Sequence, residues 1–249
     1  MWGVARAEDL RVCADPNNYP FSSERVPGFE DALAQVVAKA LHAHVAYTYR
    51  AERRGFVRET LGAHRCDVII GAPVGLPRVR TTKPYYRSRF AFVTRADRHL
   101  DLDSLDDPRL VALAIGVQLV GDDGANPPPA HALARRRIIA NVHGYHVIGD
   151  YAEAAPTTNI LQAVESGAID VAIVWGPLAG AYAAHARSKL VVTPLAEADD
   201  HGLPLAFDVA MAVRRDDTAL ADRLDRAIAD HRGELDRVLA AWHIPTEAP

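Results

Sequence analysis

A short apolar run, Leu10-Arg11-Val12-Cys13-Ala14, breaks at once into Asp15-Pro16-Asn17-Asn18-Tyr19-Pro20-Phe21. The run has the length of a buried strand, and Pro16 and Pro20 stop a helix or a sheet ladder from continuing. An open α/β sheet places its ligand groups in such loops, beyond the carboxyl ends of its strands. Asp15, Asn17 and Asn18 bring acceptors and amide donors to the loop, and Tyr19 and Phe21 bring apolar faces. The same residues also suit a plain Asx turn, because Asp and Asn side chains bond their own backbone. Both readings, cleft lining and turn, stay open at this point.

The rest of the chain repeats that grammar. Phe29, Leu33, Val36, Val37, Ala40 and Leu41 recur at helical spacing, and Val45, Tyr47 and Tyr49 alternate as a strand. A short helix is expected from Phe56 to Leu61. Asp67 to Gly71 reads as a buried strand that closes in Ala72-Pro73-Val74-Gly75, and Phe90 to Thr94 as another. The middle third restarts with a strand from Leu113 to Val117 and a glycine-rich polar loop from Leu119 to Asn126. A helix follows from Pro127 through Arg137, then a strand from Tyr145 to Ile148 and a helix from Thr158 to Ser166 with Gly167 as its stop. Val171 to Trp175 is a further buried strand, and Gly176-Pro177 turns it into a helix as far as Ala186. Strands at Leu190–Pro194 and Phe207–Val213 precede two helices, Thr218–His231 and Leu235–Trp242.

Asp67 and Asp170 each precede a β-branched run that ends near glycine and proline, so the first and middle thirds echo one another. Two similar α/β units imply two lobes. A late strand followed by closing helices suits a chain that leaves its first lobe, builds a second and returns. The expected division is 8–94 with 203–249 for the first lobe, 95–190 for the second, and 191–202 for the returning segment. Two crossings make a hinge, and the crevice between the lobes is the default ligand site.

Composition removes several functions. With 28 basic and 32 acidic residues the net charge is -4, so the chain lacks the basic face of a nucleic-acid binder. Arg135-Arg136-Arg137 reads as the solvated last turn of a helix, where cations suit the dipole. No stretch approaches the ~20 apolar residues of a membrane span, and no membrane insertion is expected. Ala5-Arg6-Ala7 has the small-x-small pattern that precedes a leader cleavage site, so an exported chain with its leader trimmed is expected. Cys13 and Cys66 permit one bridge. Strands paired in register would hold them several rises of ~3.3 Å apart, and a register offset would bring them together, so their state is left open.

Chemistry-bearing motifs are sparse. There is no Gly-x-Ser-x-Gly, phosphate loop or paired-histidine helix, so no catalytic residue, metal or cofactor is assigned. Asp122, Asp123 and Asn126 gather oxygens, yet they lack the alternating ligands and distal Glu of a calcium loop. Trp175, Tyr85, Tyr86, Tyr19 and Phe56 fit either an aromatic crevice or an ordinary core. Gly176, opening a helix, offers backbone N–H to an anion. Arg87 fits a ligand, an acidic partner or a solvated rim.

Several motifs resemble type II periplasmic solute-binding proteins: Asp15 to Phe21, Gly28-Phe29-Glu30 opening a helix, Asp67 before a strand, and Pro84-Tyr85. The closer resemblance is to their branch associated with quinoprotein methanol dehydrogenase, the MxaJ/XoxJ type. The motifs that carry it are Asp15 through Ser22, Arg54-Gly55-Phe56-Val57-Arg58, Cys66-Asp67-Val68, Pro84-Tyr85-Tyr86-Arg87-Ser88, Gly116 to Asn126, and Val174-Trp175-Gly176-Pro177-Leu178-Ala179-Gly180. The resemblance spans nearly the whole chain. It implies two α/β lobes on a two-segment hinge, a periplasmic setting, and a non-catalytic role beside a quinoprotein methanol or alcohol dehydrogenase, aiding its maturation or activation.

Amino-acid-binding relatives hold a ligand carboxylate with an Arg and small hydroxyl residues, and an ammonium with a carboxylate after a second-lobe strand. Here Trp175-Gly176 stands where that carboxylate is expected, and Asp122-Asp123-Gly124 stands near the hydroxyl position. Two acids repel a carboxylate, and indole offers an ammonium no charge partner, so amino-acid transport is not expected. The residues expected to line the cleft are Asp15, Asn17, Asn18, Tyr19, Phe21, Phe56, Tyr85, Tyr86, Arg87, Gly121, Asp122, Asp123, Asn126, Trp175 and Gly176. A transport receptor for a small non-amino-acid solute is the alternative function, and a dehydratase-like enzyme with Asp15 or Asp122 as acid is a third.

Overall fold

The computed structural model describes residues 8–119, 126–146 and 155–247. In chain order the first part carries β1 (Asp9–Ala14), β2 (Asn17–Asn18), β3 (Ser22–Ser23), α1 (Phe29–Ala40), β4 (His44–Tyr49), α2 (Phe56–Glu59), β5 (Val68–Pro73), β6 (Val79–Thr81) and β7 (Tyr86–Arg95). The middle carries β8 (Ile115–Leu119), α3 (Pro128–Arg135), β9 (Val142–His146), α4 (Asn159–Ser166), β10 (Val171–Trp175), α5 (Gly176–Ala183) and β11 (Leu190–Pro194). The end carries β12 (Ala206–Arg214), α6 (Thr218–Asp230) and α7 (Arg232–Ala241).

Ten of the strands form one mixed sheet in the order β4-β1-β5-β12-β7-β10-β8-β9, with β6 beside β12 and β11 beside β7, while β2 and β3 pair separately. Each end is a parallel trio closed by an antiparallel strand. β4, β1 and β5 run parallel and β12 runs against β5, while β9, β8 and β10 run parallel and β7 runs against β10. The echo between Asp67 and Asp170 therefore has a structural counterpart, because β5 and β10 hold equivalent places. Asp67 opens β5 while accepting from Arg11 and Arg214, and Asp170 opens β10 while accepting from Ala114 N at 2.9 Å.

Between the two ends, β7 and β12 pass from one half to the other. Tyr86–Arg89 pair with Ala206–Val209, and Phe90–Thr94 pair with β10. The sequence separates Pro84–Ser88 from a strand at Phe90–Thr94, yet the chain is extended without a break from Tyr86. Having a partner strand on every stretch is what keeps it so. At β8 the difference is two residues: Leu113 N bonds Leu110 O and closes a 3-10 turn, so the strand starts at Ile115. β9 begins at Val142 because it follows β8 in register from Ile115, and Ile148 lies outside the described residues.

Alternation along β10 divides the core of the second half. Val171 and Ile173 pack with Phe92, Leu105, Ile115 and Leu133 on one face, while Ala172 and Val174 pack with Val93, Leu161, Val164 and Leu178 on the other. In the first half, Phe29, Leu33 and Val37 of α1 meet Leu10, Val12, Ile70 and Met211 of the sheet and Leu224 and Leu235 of α6 and α7. Each of these aliphatic or aromatic side chains contributes ~1.5–3 kcal/mol through burial.

Cys13 and Cys66 form a disulfide with their Cα atoms 5.4 Å apart. The in-register geometry that would separate them does not apply. Cys66 precedes β5, on a segment tied across the sheet by Thr48 Oγ1 donating to Arg65 O at 2.8 Å. This approach sets Cys66 over Cys13 in a small core with Phe56, Leu61 and Ile69. The arginine run is also more than a solvated turn. Arg136 donates to Asp106 at 2.7 Å and to Asp200 at 2.8 Å, Arg135 reaches Asp200 as well, and Asp200 is only 3% exposed.

Candidate functional site

Where β7 and β12 cross, a cleft of about 290 Å³ opens. Its walls come from the loop after β1 (Asn18, Phe21), the first turn of α1 (Glu30), the segment after β4 (Glu52) and the end of β5 (Gly71, Ala72, Pro73). The crossing strands supply Tyr86, Phe90, Phe207 and Val209, and the end of β10 supplies Trp175. These are the carboxyl ends of parallel strands from both halves, the place an α/β sheet reserves for ligands.

Aromatic rings shape the second-half side. Trp175 has Phe90 edge-on at 5.5 Å and Phe207 edge-on at 5.7 Å. Two such contacts fix the indole plane, each contributing ~0.5–1.5 kcal/mol beyond its buried area. On the other side the polar groups are acidic. Glu30 is half-buried, its carboxylate seated against the Cα of Gly71. Crowding by protein pushes its pKa up to about 8, assisted by the charges of Glu52 and Asp31. Glu52 lies at the rim, reached by water but within the same concavity. Desolvation there and the charge of Asp15 push it up to about 7, against a hydrogen bond from Asn18 Nδ2 at 3.3 Å. No guanidinium or ammonium lines the cleft among the described residues.

The neighbouring helix end is closed to anions. Phe29 N donates to Pro20 O at 2.9 Å and Glu30 N to Phe21 O at 3.0 Å, while Gly28 N donates to Asp31 Oδ2 at 2.7 Å. The N–H groups that would meet a ligand carboxylate at α1 are thus taken by the chain itself.

Of the residues singled out in the sequence, Asn18, Phe21, Tyr86 and Trp175 come together on the cleft wall. Asp15 is buried, and its carboxylate accepts from Asn17 N and Glu52 N, both at 2.7 Å, so it builds the turn behind the cleft. Asn17 and Tyr19 face the second half. Asn17 Oδ1 accepts from Ala155 N at 3.3 Å, and Tyr19 O accepts from Thr157 Oγ1 at 2.5 Å. Tyr85 lies in the core, its hydroxyl donating to Ile70 O at 3.0 Å, and Phe56 packs beside the disulfide. Neither stands on the cleft wall. Arg87 pairs with Asp208 at 2.8 Å, and its guanidinium is also near Glu247. Gly176 is buried against β7, where a Cβ would strike Arg89 O. Asn126 is exposed before α3 and is not among the residues of the cleft wall. Gly121, Asp122 and Asp123 lie outside the described residues.

Sequence reasoning missed Glu30, Glu52, Phe90 and Phe207. An acid in the first turn of a helix reads as a dipole partner, and Phe90 and Phe207 read as ordinary strand residues. The available signal was positional: both phenylalanines sit on strands that had to cross between lobes.

Two halves, each a parallel trio closed by a returning strand, with a cleft over the crossings, define the type II periplasmic-binding-protein fold. The chain matches the bacterial extracellular solute-binding proteins, family 3, over residues 10–244. It belongs to that family, and within it to the MxaJ/XoxJ type. It is 31% identical to protein MoxJ of Methylorubrum extorquens over 96% of this chain and 82% of that protein. The crystal structure of periplasmic binding protein XoxJ from Methylobacterium extorquens AM1 superposes with a TM-score of 0.79 at 32% identity, covering 96% of this chain and all of that one. MxaJ from Methlophaga aminisulfidivorans MPT gives a TM-score of 0.80 at 27% identity, with 96% of this chain and 100% of that chain covered. Among the described residues no helix is long and apolar enough to cross a membrane.

Proposed function

We propose that this chain is a non-catalytic periplasmic binding protein that serves a quinoprotein methanol or alcohol dehydrogenase, aiding its maturation or activation through direct contact, with a small ligand held in the cleft. Likeness to MoxJ, XoxJ and MxaJ along the whole chain carries this reading. Among the described residues the cleft supports it by showing no amino-acid clamp: the start of α1 is occupied by the loop, and no basic side chain lines the wall.

The test is reconstitution. Tagged protein is expected to retain the cognate dehydrogenase from a periplasmic extract and to raise the activity recovered from a strain lacking this chain. Neither retention nor any change in recovered activity would remove the reading. A protein that instead takes up a solute through a membrane permease would support the transport receptor.

A further inference from the structure

The cleft combines two features that seldom meet without a reason. One side is a set of fixed aromatic rings, Trp175 held between Phe90 and Phe207 with Tyr86 alongside. The other carries two carboxyl groups, Glu30 and Glu52, with no basic side chain among the described lining residues to neutralise them. Aromatic faces attract cations through their quadrupole, and an ionised carboxylate completes the pairing. Ala72, Pro73 and Val209 add an apolar patch for an alkyl portion. An anion is unwelcome, because the first N–H groups of α1 already bond the carbonyls of Pro20 and Phe21.

We propose that the cleft is the receptor site of a small organic cation, an alkylated amine that carries no acidic group. This deepens the preceding reading and rests on the cleft being the ligand site. A volume of about 290 Å³ suits a compact ammonium and not an oligomer or a folded cofactor. The alkyl or methyl groups sit against Trp175, Phe90 and Phe207, while Glu30 and Glu52 supply the counter-charge. Asn18, whose amide bonds Glu52, holds the rim carboxylate in place.

Titration of the acids makes the proposal sharper. Glu30 is faced by Asp31 on its own helix, by Glu52 from the segment after β4, by Tyr85 just ahead of β7 and by Tyr86 at its start. Glu52 is faced by Asp15 and Asn18, and on its outer side it shares a neighbouring concavity with Arg53, Arg54, Arg58 and Arg78. The charges that bear most on the pair, Asp31, Asp15 and each other, are acidic, so near neutrality Glu30 and Glu52 are partly protonated. A cation binds the ionised form and displaces the proton, so affinity rises with pH through the range where Glu30 and Glu52 titrate.

Calorimetric titration of the whole chain with choline, and with its neutral isostere in which a tert-butyl group replaces trimethylammonium, tests this. Choline is expected to bind at least about tenfold more tightly than the isostere. Its affinity is expected to increase more than about tenfold from about pH 6 to about pH 8.5, following the competent fraction of the site. Glu30→Gln is expected to reduce that pH dependence to the part set by Glu52, Glu30→Gln with Glu52→Gln to abolish it, and Trp175→Leu to weaken choline while sparing the pH dependence. Equal binding of choline and isostere would overturn the cation assignment while leaving an apolar ligand site. Absence of binding by either at millimolar concentration would overturn it too. Retention of the dehydrogenase is measured separately and is independent of all these results.

Discussion

The Glu30 carboxylate occupies the space that a Cβ on residue 71 would fill, so Gly71 is what allows this acid to lie on the cleft floor. The relationship is asymmetric. Glu30 is a flexible side chain whose tip can swing away, whereas Gly71 is fixed within β5.

Gly71→Ala should therefore change the cleft more than the stability. The new methyl group evicts the carboxylate, and the backbone at this position needs no left-handed conformation. Denaturant unfolding is expected to shift by less than about 1 kcal/mol, within the range of mild substitutions. Choline affinity should fall to the level of Glu30→Gln. A loss of several kcal/mol with unchanged binding would show that the strand, and not the acid, feels the change.

Glu30 also sets a pH dependence of folding. Its folded pKa, about 8, lies above its ordinary value of 4.5 because burial disfavours the charge. From about pH 4.5 to about pH 8 the native state holds a proton that the unfolded chain has released, so this group makes stability fall as pH rises through that window. Water reaches the cleft, so the effect is discounted to about 1–2 kcal/mol. Glu30→Gln is expected to melt higher than the parent at pH 8.5 and equally at pH 4. A constant difference at both pH values would count against the burial argument.

The Cys13–Cys66 bridge closes a loop of sequence separation 53 and lies under Phe56 and Leu61. The chain-entropy account assigns such a loop about 4 kcal/mol. The Cys13→Ala, Cys66→Ala double variant should lose about 3–4 kcal/mol in urea unfolding, and the parent should match it in the presence of reductant. A loss below about 1 kcal/mol would mean that the buried cluster alone holds this corner.

Most elements were legible in the sequence because their physics is local. Phe29, Leu33 and Val37 recur at helical spacing, Gly167 takes the left-handed stop at the end of α4, and Val171–Trp175 is an uninterrupted buried strand. What stayed hidden depends on distant partners. The continuity of β7 comes from β12 and β10, and Cys66 meets Cys13 only because its approach crosses the sheet. The same holds for the site: Trp175 and Tyr86 stood out as aromatics in strand-flanking motifs, while Glu30 and Phe207 gain their meaning from a cleft formed by segments far apart in the chain.

Asp200 illustrates a charge cluster whose role is structural. It is 3% exposed and receives Arg136 at 2.8 Å, with Arg135 beside it, so it pins the polar segment after β11 to the end of α3. Asp200→Asn leaves the shape but removes the charge, and with both arginines partly solvated the loss is expected to be about 2 kcal/mol. Hydrogen exchange should localise it, with amides at 196–205 and in α3 losing protection while β1, β4 and β5 keep theirs. A uniform loss across both halves would contradict a local clamp.

Across the hinge, Thr157 Oγ1 donates to Tyr19 O at 2.5 Å and Asn17 Oδ1 accepts from Ala155 N at 3.3 Å. These bonds join the loop after β1 to the turn that leads into α4, so they tie the two halves directly over one end of the cleft. Thr157 is 3% exposed, and Thr157→Val keeps its volume while leaving the Tyr19 carbonyl without that donor. Removing such a bond costs about 1–1.5 kcal/mol in the joined arrangement and almost nothing once the halves separate and water replaces the hydroxyl. The balance between joined and separated halves should then move about tenfold toward separation. Small-angle scattering is expected to report a larger radius of gyration for Thr157→Val, with the parent value restored by a saturating ligand of the cleft. An unchanged radius with unchanged ligand affinity would show that the crossing strands β7 and β12, and not this latch, hold the halves together.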